Sequence, residues 1–89
     1  MSFDMFKNDL VTISKPDGRI FENVRADVQS EQIFISDKNI PLENGDKIKR
    51  VLPSGVIEVY VVLDNGFFHG GNGLHGGYQA KVRKESSFL

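Results

Sequence analysis

The residue types best suited to chemistry crowd into one stretch. Phe67-Phe68-His69-Gly70-Gly71-Asn72-Gly73-Leu74-His75-Gly76-Gly77 holds both histidines of the chain, and five of its nine glycines lie between positions 70 and 77. Two imidazoles on a pliable segment could converge on a metal ion, but two ligands are too few for a closed site and the chain has no cysteine to add. Consecutive glycine amides could cradle an anion. No Gly-Lys-Ser/Thr ending follows, and the next segment reads as a strand rather than a helix, so the phosphate-loop fingerprint is missing. An oxyanion loop would need a nucleophile, and no Gly-x-Ser-x-Gly elbow exists. The remaining reading is a long connection between strands, pinned by Phe67, Phe68 and Leu74. On that reading Gly70–Gly73 is the most mobile internal segment and lies at a barrel rim, outside any sheet.

Other catalytic sets do not assemble. The carboxylate pairs Asp17/Glu22 and Glu43/Asp46 fall where Asp and Asn serve turns, and no Ser–His–Asp or Cys–His spacing is present. Catalytic, cofactor-binding and metal-ligating residues are therefore all expected to be none, and the chain is read as not an enzyme.

Charge offers a second candidate. Residues 1–45 hold five Lys+Arg and eight acids, whereas residues 46–89 hold six and four. Lys47, Lys49 and Arg50 form one basic cluster, and Lys81, Arg83 and Lys84 another. If their strands approach each other, a phosphate backbone could lie across them, with Tyr78 or Phe68 stacking a base. The opposing reading is that outward Lys and Arg keep strands soluble. A net charge of −1 lacks the basic balance typical of nucleic-acid binders.

The elements that must position these residues are short and punctuated by turns. Leu10–Ser14 alternates with Val11 and Ile13 on one side. Lys15-Pro16-Asp17-Gly18 is a turn, and Arg19–Val28 a longer strand with a bulge near Glu22. Ile33–Ile35 is a short strand, followed by turns at residues 36–39 and 43–46. Asp46–Leu52 and Val56–Asp64 form a hairpin about Pro53-Ser54-Gly55. In its second arm Ile57, Val59, Val61 and Leu63 share the face chosen for the core, with Val56, Tyr60 and Val62 opposite. Tyr78–Lys84 alternates again, with Tyr78, Ala80 and Val82 inward. The expected core is Val11, Ile13, Val24, Ala26, Ile33, Ile35, Ile48, Ile57, Val59, Val61, Leu63 and Val82.

The sum is an all-β domain of about six antiparallel strands curled into a small barrel or roll. Ser2–Leu10 spaces Phe3, Phe6 and Leu10 as a short N-terminal helix, either a plug over an open barrel end or a contact for another subunit. One domain spans 1–89: a helical segment over 1–9, the β-domain over 10–85 and a frayed tail over 86–89. The longest apolar run, Val59–Leu63, is five residues, and no secretory signal is visible, so a cytoplasmic protein away from membranes is expected. Phe3, Phe6, Phe67 and Phe68 are expected to exceed what a core this small absorbs. With His69, His75 and Tyr78 they are the candidate contacts for a protein partner or a second copy.

The order of motifs resembles a family. Asp17-Gly18-Arg19, Phe21-Glu22-Asn23-Val24, Ile33-Phe34-Ile35, Ile40-Pro41-Leu42-Glu43, Gly45-Asp46, Leu52-Pro53, Val62-Leu63-Asp64 and Tyr78-Gln79 with Lys81-Val82-Arg83-Lys84 resemble a small N-terminal β-domain of uncharacterised bacterial proteins. The likeness covers residues 10–85 and implies a fold but no reaction. Where that pattern has Pro and His before the Tyr-Gln pair, this chain has Gly76 and Gly77, with His75 displaced. A weaker likeness, resting on architecture and the Glu43–Asp46 turn, is to phage head–tail joining proteins. It implies a mobile-element or prophage context and an assembly role. Three functional readings stand: an interaction or structural module, a head–tail connector-type protein, and a weak nucleic-acid-binding barrel.

Overall fold

The computed structural model of the chain describes residues 9–71 and 74–88. Seven strands follow in order: β1 (Asp9–Ser14), β2 (Ile20–Val28), β3 (Gln32–Ile35), β4 (Lys47–Val51), β5 (Ile57–Asp64), β6 (Phe67–Gly71) and β7 (Leu74–Phe88). All pairings are antiparallel. The order β3-β2-β1-β4-β5-β7 closes on itself, because β3 also pairs with β7. The expected all-β class is thus realised as a closed six-strand barrel. β6 stands outside the ring, paired among the described residues to β7 alone.

Local chemistry sets the corners. Gly18 at φ +98° closes the first turn, its N–H reaching the Lys15 carbonyl at 3.0 Å. The register moves from Val11↔Val24 to Ile13↔Phe21, and Asn23 takes φ +59° there, so the bulge expected near Glu22 is present. Around Pro53-Ser54-Gly55, Leu52 donates to Val56 and Gly55 to Leu52, each at 2.8 Å.

The core contains Val11, Ile13, Val24, Ala26, Ile33, Ile35, Ile48 and Val82, as expected, together with Leu42, Tyr60, Val62, Tyr78 and Ala80. The facing of β5 is reversed from expectation. Ile48 points inward and pairs directly with Tyr60, and cross-strand partners share a face. Glu58, Tyr60 and Val62 therefore enter the barrel. Ile57, Val59 and Val61 are half-buried outside, and Leu63 is exposed. Apolar residues on both faces left the sequence pattern without a preferred phase.

Three further expectations are corrected. Asp9 and Leu10 are strand residues paired with Ala26 and Arg25, not the end of a helix; the rest of the proposed helix, with Phe3 and Phe6, lies outside the described residues. Ser86, Ser87 and Phe88, read as a frayed tail, pair with Val59, Glu58 and Ile57. In the Gly/His stretch, Phe67–Gly71 and the start of β7 are strand arms rather than a connection outside any sheet, while Asn72 and Gly73 lie outside the described residues.

Both barrel ends are filled by side chains. At one end the segment joining β3 to β4 carries Leu42, which is almost fully buried. The Tyr78 hydroxyl donates to the Ile40 carbonyl at 2.5 Å, and Asn65 Nδ2 donates to the Leu42 carbonyl at 2.9 Å. At the other end Glu58 accepts from Arg50 and Lys84, and Arg50 also reaches Asp9.

Candidate functional site

β6 continues the line of β5 past the end of the barrel. Asp64↔Lys81 and Phe67↔Tyr78 belong to one register, interrupted only by Asn65 and Gly66. Two side-chain turns make the break: Asp64 Oδ1 accepts the Gly66 N–H at 3.0 Å, and Asn65 Oδ1 accepts the Phe67 N–H at 3.2 Å. Gly66 takes φ +57°, and a Cβ there would strike the Gln79 carbonyl. Gly76 and Gly77 answer the same demand, since added Cβ atoms would meet the His69 and Ile35 carbonyls respectively. These glycines permit close backbone approach.

Alternation sorts the aromatic residues of the hairpin. Phe67 and His69 lie on the Tyr78 face, with Phe67–His69 ring centroids at 5.0 Å and Phe67–Tyr78 at 5.2 Å. Phe68 is on the other face, 5.8 Å from Phe34. Of the candidate partner contacts, the structure brings together Phe67, Phe68, His69 and Tyr78, and adds Phe34, which sequence reasoning missed. The alternation of Ile33-Phe34-Ile35 was its available signal, because burying both isoleucines turns Phe34 outward. Phe67 is 40% exposed and Phe34 45%. Tyr78 is buried with its hydroxyl engaged, so it is not placed to stack a base. His75 pairs with Gly70 through the backbone.

Among the described residues, β6 has a strand partner on one side only. The Gln79 N–H donates to the Gly66 carbonyl at 3.0 Å, and beyond it the register omits His69 opposite Gly76, where Gly70 and Gly71 take φ +85° and +139°. The Phe67 N–H turns away from β7. Asn65 Oδ1 accepts it. From Asn65 to Ala80 the sequence contains no Asp, Glu, Lys or Arg.

The basic candidates do not form one free cluster. β5 lies between β4 and β7, so Lys47 and Arg83 sit across Val61 from each other. Lys47 is paired with Glu85 at 2.9 Å, while Arg50 and Lys84 bind Glu58 at 2.6 and 3.0 Å. Lys49, Lys81 and Arg83 have no ion pair among the described residues. Lys81 and Arg83 line an open cleft with Ser30, Glu31, Gln32 and Leu63.

Two buried charges were not singled out from sequence. Lys15 Nζ reaches the Pro41 carbonyl, Asp46 Oδ2 and Glu43 Oε1. Burial works against its charge, but hydrogen bonds to Asp46 and Glu43 outweigh it and hold the ammonium above its usual range. Glu58 is held down to about 2 by hydrogen bonds from Arg50 and Lys84. Burial pushes the Tyr60 phenol up, and the neighbouring Glu58 carboxylate adds to it. Each of these charges is spent on a partner within the fold. Among the described residues, no three His, Cys, Asp or Glu side chains gather to hold an ion, and no helix is long and apolar enough to cross a membrane.

Comparison with known protein families, curated proteins and solved structures finds no match to this chain.

Proposed function

We propose that this protein is a non-enzymatic interaction module that holds a protein partner through the β6–β7 hairpin. One observation carries the reading: beyond the closed ring the chain extends a seventh strand that pairs with β7 alone among the described residues and carries an exposed phenylalanine. The buried ion pairs support it from the other side, because the charges that could have served chemistry are held in structural contacts. The likeness to phage head–tail joining proteins accords with the same reading, since an assembly protein works through such contacts.

The test is site-specific photo-crosslinking in the host cell. A photoreactive residue at position 69, on the hairpin, is compared with one at position 22, on the exposed part of β2. Crosslinks to a protein from position 69 and not from position 22 support the reading. Their absence from position 69 removes it.

A second reading, nucleic-acid binding, draws on the cleft that holds Lys81 and Arg83. Binding to mixed-sequence single and double strands across a salt series tests it. Phosphate contacts strengthen as salt falls, so no binding at low salt disposes of this reading.

A further inference from the structure

Half-buried Asn65 uses both ends of its carboxamide, each on a different part of the fold. Nδ2 donates to the Leu42 carbonyl at 2.9 Å, and Oδ1 accepts the Phe67 N–H at 3.2 Å. Its own N–H reaches Asn44 Oδ1 at 2.9 Å. Leu42 and Asn44 belong to the segment between β3 and β4 that fills one barrel end, whereas Phe67 begins β6. The resonance that flattens a peptide bond also makes the carboxamide a rigid plate, so displacing one end displaces the other. Tyr78 makes a second link. Its hydroxyl donates to the Ile40 carbonyl and accepts the Leu42 N–H at 3.4 Å, and its ring lies 5.2 Å from that of Phe67. Gly77 makes a third, since a Cβ there would meet the Ile35 carbonyl and the Ser36 Cα, where the segment starts.

Resting on the reading above, we propose that the barrel-end segment sets the position of Phe67 through Asn65, so that a partner seated on the hairpin and the Lys15 contacts act on one coupled unit. Lys15 holds the same segment at Pro41, Glu43 and Asp46, and none of its polar contacts among the described residues is with the hairpin. The outer hairpin offers Phe67 little guidance. His69 is missing from the register with β7, and Gly70 and Gly71 both have positive φ. The course of β6 is therefore fixed at its base, where Asn65 holds the Phe67 N–H and the Gly66 carbonyl accepts the Gln79 N–H. Asn65 is a positioning residue: it aims Phe67 without itself being a partner contact. Groups joined in one hydrogen-bonded network respond together, and a double-mutant comparison isolates the link between them.

The test is the amide NMR spectrum of the free protein. Lys15→Met is expected to displace the Gly66 and Phe67 amide signals, although Lys15 touches neither residue. Asn65→Asp keeps an oxygen for the Phe67 N–H but removes the donor to Leu42. In that background Lys15→Met should leave the Phe67 signal where it was. Signal positions in the folded molecule do not follow stability, and an effect of the lost charge through space would persist with Asn65→Asp. Should Lys15→Met unfold the barrel, Leu42→Val takes its place by trimming the side chain that seats the segment. A Phe67 signal unmoved by the perturbing variant overturns the proposal. So does a displacement that survives Asn65→Asp undiminished. Absence of crosslinks from position 69 is a separate outcome: it removes the partner, while the spectra still decide whether segment and hairpin are one unit.

Discussion

Lys15 and Asp46, thirty-one residues apart, form an ion pair with an Nζ–Oδ2 distance of 2.5 Å and side chains only 1% exposed. The pair fixes the end of β1 to the start of β4. Asp46 also accepts the Glu43 N–H at 2.9 Å, and Lys15 donates to the Pro41 carbonyl. One ammonium therefore fastens the segment that carries Leu42 over the barrel end. Its two partners cannot be separated without leaving a charge in a dry place.

Lys15→Met should destabilise the protein by about 3 kcal/mol, because the buried Asp46 carboxylate loses its cation. Lys15→Met combined with Asp46→Asn should recover a substantial part of that loss, since the amide oxygen can still accept the Glu43 N–H. Urea unfolding of the two single variants and the double variant measures this. Strictly additive losses would show that the two charges do not act as a pair.

Glu58 should shape the acid limb of stability. Its native carboxyl ionises near 2, against an ordinary value of 4.5, owing to Arg50 and Lys84. The contribution is complete above the ordinary value and disappears as pH falls from there toward 2. Glu58→Gln should therefore flatten the loss of stability between those values, with a wild-type effect on the order of 2 kcal/mol. Unfolding curves across that range check it; parallel wild-type and variant profiles would contradict it.

Val61 and Val62 should respond oppositely to the same change. Val62 is 2% exposed, and an aspartate there buries an unpaired charge at a cost of several kcal/mol, enough to unfold a small domain. Val61 is on the outer face between Lys47 and Arg83, so Val61→Asp should stay folded and lose only about 1 kcal/mol. Circular dichroism of the two variants distinguishes them.

Gly66→Ala should cost more than Gly18→Ala. Both glycines have positive φ, but a Cβ on Gly18 meets open space and one on Gly66 meets the Gln79 backbone. The Gly18 variant should lose about 1 kcal/mol and the Gly66 variant 1–3 kcal/mol beyond that. Amide exchange should also quicken at Gln79, whose N–H bonds to Gly66. Equal losses would mean that the hairpin moves freely off β7.

Period-two alternation and turn chemistry determined much of this protein without reference to its fold. They placed β1 to β5, the inward set Tyr78, Ala80 and Val82, and the corners at Gly18 and Gly55, because turn type and strand period are local properties. The hairpin was legible only in part. Asn72-Gly73 between two arms is a turn signal, but the flanking glycines lack the side chains by which alternation is read. Tertiary structure decided what depends on partners distant in sequence. The inward face of β5 follows from Ile48 opposite Tyr60, and the glycines at 66 and 77 follow from the carbonyls of Gln79 and Ile35. Arg50 and Lys84 looked like free cations until barrel closure brought both to Glu58, and β6 lies outside the ring because β3 closes onto β7 without it. Pairing across the ring is a long-range choice, set by which closure buries the apolar faces together, and no local window of sequence contains it.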